Sequence, residues 1–282
     1  MRQISAVLTL TVVASLTWAT APHAVAQTVP AITHGVASGD VTPNSAVVWS
    51  RFDREATMNV RVTEVTGSGQ TPTISASTPS ATDFTAQTKI EGLTPNTRYL
   101  YEIRFETAVG ESSPVSGTFR AAPDPDTSSP VSLIWAGDLA RQGYCRRAGR
   151  GYEFFDHMTN FGPNLFVANG DMIYADSACQ VDGPIDGWIN VLGDFSSISS
   201  PDVDWDNTAQ VAEIYRAHWR YNRTDPAFQD FLGSTPMVVQ WDDHEVINDF
   251  GAVAGLRALG HPCGIPEHRR GRSSISVRLP SD

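Results

Sequence analysis

Between residues 31 and about 122 the chain alternates short runs of apolar and polar positions. Residues 46–50 (Ala-Val-Val-Trp-Ser) and 59–63 (Asn-Val-Arg-Val-Thr) read as short strands. The clearest run is residues 98–105. There Tyr99, Tyr101, Ile103 and Phe105 share one face, and Glu102 and Arg104 share the other. This period of two is that of a half-buried strand. Thr94-Pro-Asn-Thr97 supplies the turn before it. Loops rich in Ser, Thr, Gly and Pro separate the runs, so the segment 31–122 predicts an all-β sandwich.

Residues 121–130 are dominated by Pro, Asp and Ser and read as a linker. The pattern then changes. Residues 131–136 (Val-Ser-Leu-Ile-Trp-Ala) form a run that predicts a strand buried on both faces. Tyr152, Phe155 and Met158 fall on one side of a helix, and residues 164–168 give a second buried strand. Val211, Ile214, Tyr215, His218 and Trp219 have the spacing of an amphipathic helix, and residues 236–240 give a third strand. Strands alternating with helices predict an α/β domain over 130–250. The expected fold class is therefore mixed, α+β or α/β: an all-β sandwich followed by an α/β domain.

The 282 residues carry 41% hydrophobic content, enough for two cores. The net charge of −11 argues against specific nucleic-acid binding. Arg2, the apolar run from Ile4 to Trp18 and Ala24-Val-Ala26 have the order of a secretory signal peptide. Cleavage after Ala26 and a secreted or periplasmic location are expected. The run falls short of the roughly 20 residues that a spanning helix needs. No later segment is apolar enough to span a membrane.

Each predicted strand of the second domain ends in acid. The ends are Gly137-Asp138, then Asn169-Gly-Asp-Met-Ile-Tyr-Ala-Asp176, then Trp241-Asp-Asp-His-Glu-Val246. Ligands of open α/β sheets sit at the carboxyl ends of strands, so Asp138, Asp171 and Asp243 should converge. Converging carboxylates repel, and desolvation adds several kcal/mol per group. Shared protons, arginine partners or cations would offset this. Arg141 is the nearest base, with Arg146 and Arg147 further off, and these do not balance the acids. A divalent or trivalent metal does, with carboxylate, imidazole and phenolate as ligands. Gly137 and Gly170 are expected to let the strand ends approach the ion. Tyr174, three residues after Asp171, could reach the same ion.

These three motifs resemble those of the calcineurin-like metallophosphoesterases, and among them the alkaline phosphatase D family. The earlier segment Gly92-Leu-Thr-Pro-Asn-Thr-Arg-Tyr-Leu-Tyr101, with Trp49, resembles a fibronectin type III module. The resemblance implies a metallophosphoesterase α/β sandwich holding two metals. It implies Asp138 and Tyr174 on one ion, Asp171 bridging both, Asp243 on the second and a catalytic His244 facing phosphate. Asp138 stands where many relatives carry cysteine, which implies iron, with calcium or another divalent cation beside it. Arg141 and Asn248 are the expected substrate-binding residues. The implied activity is hydrolysis of phosphate monoesters or diesters by a metal-bound hydroxide, on small-molecule, lipid or nucleotide esters. The alternative is an inactive secreted member of the family.

Relatives bring further histidines after the third motif. Here the segment 251–282 contains His261 and His268, is rich in arginine and loses the apolar periodicity. A truncated or frameshifted product with an incomplete α/β domain is the expectation. Elsewhere, His218 is expected to pack in the core and His157 to lie on a helix surface. The acids from Asp202 to Asp206 are expected to cap a helix beginning near Thr208. Cys145 and Cys179 each follow a site aspartate by seven or eight residues. A disulfide between them and two free thiols both remain open, and Cys263 lies in the tail.

Overall fold

The structure is a computed structural model describing residues 31–67, 69, 71–139 and 143–250. The expected signal peptide 1–26, Arg141, Cys263 and the tail 251–282 lie outside the described residues.

The first domain contains β1 (Val36–Gly39), β2 (Ser45–Arg51), β3 (Thr57–Glu64), β4 (Ile74–Ser77), β5 (Thr85–Glu91), β6 (Arg98–Thr107), β7 (Gly110–Glu111) and β8 (Val115–Arg120). One antiparallel sheet has the order β1-β2-β5; the other has β4-β3-β6, with β6 also pairing β7 and β8. The alternation read along β6 is realised: Tyr99, Tyr101, Ile103 and Phe105 are all buried. They meet buried β3 side chains in register, Met58 opposite Phe105, Val60 opposite Ile103 and Val62 opposite Tyr101. Such cross-strand pairs contribute about 0.2–1 kcal/mol each. Phe52 closes the core by stacking on Phe105 at 4.5 Å between ring centroids.

The second domain contains β9 (Leu133–Ala136), α1 (Phe154–Phe161), β10 (Leu165–Ala168), α2 (Thr208–Arg223), α3 (Pro226–Ser234) and β11 (Met237–Val239). The three strands form a parallel sheet in the order β11-β10-β9. Phe155 of α1, Phe166 of β10 and Phe228 and Phe231 of α3 build the core beneath it. The Phe155 and Phe228 rings stack at 4.5 Å, and Phe166 meets Phe231 edge-on at 5.2 Å. Each buried phenyl contributes about 1.5–3 kcal/mol.

Two sequence expectations need correction. The strand over 131–136 is not buried on both faces. Ile134 and Ala136 turn toward the core, whereas Leu133 is 46% and Trp135 69% exposed. Successive side chains alternate, and among the described residues α1 and α3 pack on one face of the sheet only. The cap of α2 is also not an acid: Asn207 accepts the N–H of Gln210 at 3.1 Å, and the Asp204 carboxylate instead accepts the N–H of Asp206.

The helix α3 has no counterpart in the sequence reading. It begins at an Asp-Pro pair. Buried Asp225 accepts the N–H of Phe228, and Pro226 occupies the first turn, where its missing N–H costs nothing. The same carboxylate accepts the N–H of Tyr152, which ties α3 to the start of α1. α3 also joins the domains. Gln229 donates to the Thr33 carbonyl at 3.0 Å, and a Cβ on Gly117 of β8 would come within 2.5 Å of the Gly233 carbonyl.

Candidate metal centre

The ends of β9, β10 and β11 interlock through backbone. Asp138 donates its N–H to the Gly170 carbonyl at 3.3 Å, and Leu139 donates to that of Asp171 at 2.8 Å. A Cβ on Gly137 would lie 3.0 Å from the Gly170 carbonyl. Gly170 has φ +98°, and a Cβ there would meet Asp242 at 2.4 Å. The glycines therefore admit neighbouring strand ends, a close approach that the sequence reading did not foresee. Asp138 and Asp171 take φ of 57° and 53°. This left-handed region is sparsely populated by non-glycine residues, and functional sites are where such bends concentrate.

These bends bring the site residues together. Asp171, Asp243 and His244 each offer a ligand atom, and those atoms lie within 4.8 Å of one another. Tyr174 joins Asp138 to this group: its hydroxyl lies 2.9 Å from Asp138 Oδ1 and 3.3 Å from Asp171 Oδ2. Burial, then the Asp138 carboxylate it donates to, pushes the Tyr174 phenol well above its ordinary range. Burial raises Asp171 too, against the opposing pull of the His244 N–H, and the charges of Glu245 and Asp243 add to the rise. Among the described residues, no arginine or lysine pairs with Asp138, Asp171 or Asp243. Among the described residues, the cluster thus has none of the guanidinium partners of a salt-bridge network. Its oxygen and imidazole donors fit a divalent or trivalent cation.

Two acids that the sequence reading passed over hold the cluster in place. Glu245 is buried, and its carboxylate accepts the backbone N–H groups of Asp171 at 2.9 Å, Met172 at 2.5 Å, Ile173 at 3.4 Å and Asp242 at 2.8 Å. It knits the β10 and β11 loops into one body. Asp176 Oδ1 lies 2.8 Å from His244 Nδ1. That bond fixes the ring and leaves Nε2 to reach a ligand. The Tyr174 and His244 rings also lie 4.2 Å apart. The signal for both acids was their place inside the motifs: Asp176 ends the second and Glu245 follows the histidine of the third.

The substrate-binding pair is not assembled among the described residues, since Arg141 lies outside them. Exposed Asn248 turns its side-chain amide to Asp249 at 2.9 Å, while its backbone N–H donates to Asp176. Cys145 and Cys179 form a disulfide, which resolves the open pairing. His218 is core, with its ring 4.1 Å from that of Phe195 and its Nε2 3.1 Å from the Ser196 carbonyl. His157 is exposed on α1.

Two family models match the chain. Residues 17–123 match the N-terminal domain of PhoD-like phosphatases, and residues 138–264 match the PhoD-like phosphatase domain. Among solved structures, the chain is similar to one described as the structure of PhoD, with a TM-score of 0.61 and 22% identity over 81% of this chain and 41% of that one. It also matches purple acid phosphatase PPD1 from yellow lupin seeds, with a TM-score of 0.46 and 12% identity over 76% of this chain and 35% of that one. A two-domain fibronectin type III segment of chicken tenascin matches 33% of the chain at 26% identity, covers half of that segment and has a TM-score of 0.27. No curated protein matches. The chain spans about two fifths of the length of the PhoD structure.

Proposed function

The chain belongs to the PhoD-like phosphatase family, and from that premise we propose that it is an exported metal-dependent phosphoesterase acting on small phosphate monoesters or diesters. The observation that carries this reading is the grouping of Asp171, Asp243 and His244 donors within 4.8 Å. Asp138 and Tyr174 would hold one cation, Asp243 a second, and Asp171 both. Iron suits the phenolate-bearing position, and calcium or another divalent cation suits the other. When bound, such ions would supply positive charge and Lewis acidity for hydrolysis of a phosphate ester.

The chain's own groups do the rest. Glu245 fixes the two loops, so Asp171 and Asp243 keep their spacing while like charges face each other. Asp176 holds the His244 ring by Nδ1. Nε2 can then donate to a phosphoryl or leaving oxygen. Exposed Asn248 and Arg141 are the proposed contacts to the ester. The first domain is proposed to be fibronectin type III-like, which its three-strand sheet facing a larger one supports. Export is supported by the leader over 1–26 and by the Cys145–Cys179 disulfide, since such bonds persist in oxidising compartments. No helix among the described residues is long and apolar enough to cross a membrane.

The test is metal analysis of the purified chain together with turnover of a chromogenic phosphate monoester and diester. Bound metal and hydrolysis of either ester, both lost in Asp171→Asn and Asp243→Asn, are expected. Less than one metal per chain with no turnover would overturn the proposal.

A further inference from the structure

Where the sandwich meets α2 the structure leaves a cleft of about 260 Å³, lined by Trp49 and Arg51 on one side and by Arg216, Trp219, Arg220 and Arg223 on the other. None of the metal-cluster residues lines it. In a chain of net charge −11, four guanidinium groups in one small cleft need a counter-charge.

The counter-charge present is insufficient. Among the described residues, Asp83 is the one carboxylate lining the cleft; it pairs with Arg51 at 3.0 Å and with Arg220 at 2.8 Å. Glu213, exposed outside the cleft, takes a second contact from Arg220. Arg216 and Arg223 have no carboxylate partner among the described residues. Arg216 donates to the Ala81 carbonyl at 2.7 Å. The Arg223 guanidinium lies 4.3 Å over the Trp49 ring. Burial brings Arg223 down to about 10, and burial, followed by the charge of Arg51, brings His34 beside it down to about 4. His34 is therefore neutral at pH 7 and adds no charge, while Arg223 stays cationic.

An interdomain clamp accounts for Arg51, Asp83 and Arg220. Arg216, on the Ala81 carbonyl, and Arg223, over the Trp49 ring, also cross the junction, but neither charge meets a carboxylate among the described residues. Guanidinium forks match oxyanions in geometry, and Trp49 and Trp219 give the cleft two indole walls. We propose that this cleft is a second anion site, separate from the metal centre, that takes a phosphate-type oxyanion, either free phosphate or the phosphate group of an ester. The site stands whether or not the chain hydrolyses esters.

The test is calorimetric titration of the full chain with inorganic phosphate and with phenyl phosphate. Each titration is run with and without a chelator, so that binding at the metal centre is separated. One saturable site that persists in chelator and weakens with salt is expected. Arg216→Gln and Arg223→Gln should each weaken it at least about tenfold, the usual range for a lost charge-assisted hydrogen bond. Glu213→Gln, which releases Arg220, should tighten it. Equal affinity for the two probes assigns the site to free phosphate, and tighter phenyl phosphate assigns it to an ester. Absence of saturable binding in chelator, or binding unchanged in Arg216→Gln with circular dichroism showing a native fold, overturns the proposal. Arg216 serves as the decisive variant because its side-chain hydrogen bond among the described residues goes to the exposed Ala81 carbonyl.

Discussion

The Asp176 carboxylate faces two ways: Oδ1 lies 2.8 Å from His244 Nδ1, and Oδ2 accepts the N–H of Asn248 at 3.2 Å. One side chain thus sets the histidine ring and the loop beyond it. Asp176→Asn should lower kcat about 10–100-fold with little change in KM, the usual cost of losing a partner that orients a site group. Asp176→Glu should recover part of the rate. Steady-state kinetics across pH check this, and an unchanged pH profile in Asp176→Asn would remove Asp176 from the mechanism.

Glu245 serves four backbone donors from two loops. Glu245→Ala leaves those N–H groups buried without an acceptor and should cost about 3–5 kcal/mol. Urea unfolding of the metal-free protein measures the loss. Metal affinity should fall with it, since Asp171 and Asp243 lose their fixed spacing.

Much of this was legible in the sequence, and the limits have physical causes. The β6 face was readable because a period of two and a half-buried sheet leave one solution for Tyr99, Tyr101, Ile103 and Phe105. The convergence of Asp138, Asp171 and Asp243 was expected from the rule that parallel strands deliver their ends to one edge; the structure groups Asp171 and Asp243 with His244 and ties Asp138 in through Tyr174. The exposure of Trp135 was not readable. An apolar strand shows that burial is favourable, not what covers it. The contacts that Gly137 and Gly170 make with neighbouring strand ends were not readable, because such an approach depends on sheet register, which one sequence does not display. The helix α3 was missed, although Phe228, Phe231 and Leu232 have helical spacing, because it is only 9 residues long and its Asp-Pro start reads equally as a turn.

Gly170→Ala tests the interlock. Its positive φ disfavours any side chain, and the new methyl would meet Asp242 at 2.4 Å. Destabilisation of about 1–3 kcal/mol is expected, with a loss of metal binding as the third strand end shifts. Thermal unfolding and metal titration report the two effects separately.

His34 and His218 give the fold its acid sensitivity. Both are buried, and burial brings each down to about 4 from an ordinary value near 6.5. Above pH 6.5 both are neutral folded or unfolded. As pH falls from 6.5 to 4, the unfolded chain takes up protons that the folded chain refuses, so stability declines by up to about 3 kcal/mol per histidine and then levels off. Urea midpoints across this window should fall, and His218→Asn should flatten the decline.

The Cys145–Cys179 bond closes a loop with a sequence separation of 34. In the chain-entropy picture this restricts the unfolded state by about 4 kcal/mol. Reduction should lower the melting temperature, and a Cys145→Ala/Cys179→Ala variant should match the reduced protein. Equal melting temperatures with and without reductant would show that the bond adds no stability.

The junction between the domains has a practical result for anyone who cuts the chain. Asp83 grips guanidinium groups from both sides, Gln229 reaches Thr33, and Gly117 sits against the backbone of Gly233. The stretch 123–130 that links the pieces carries no strand or helix and is open to protease. A nick there should give two bands on a denaturing gel yet a single peak in gel filtration. The β-rich fragment and its companion would travel together until high salt and urea part them.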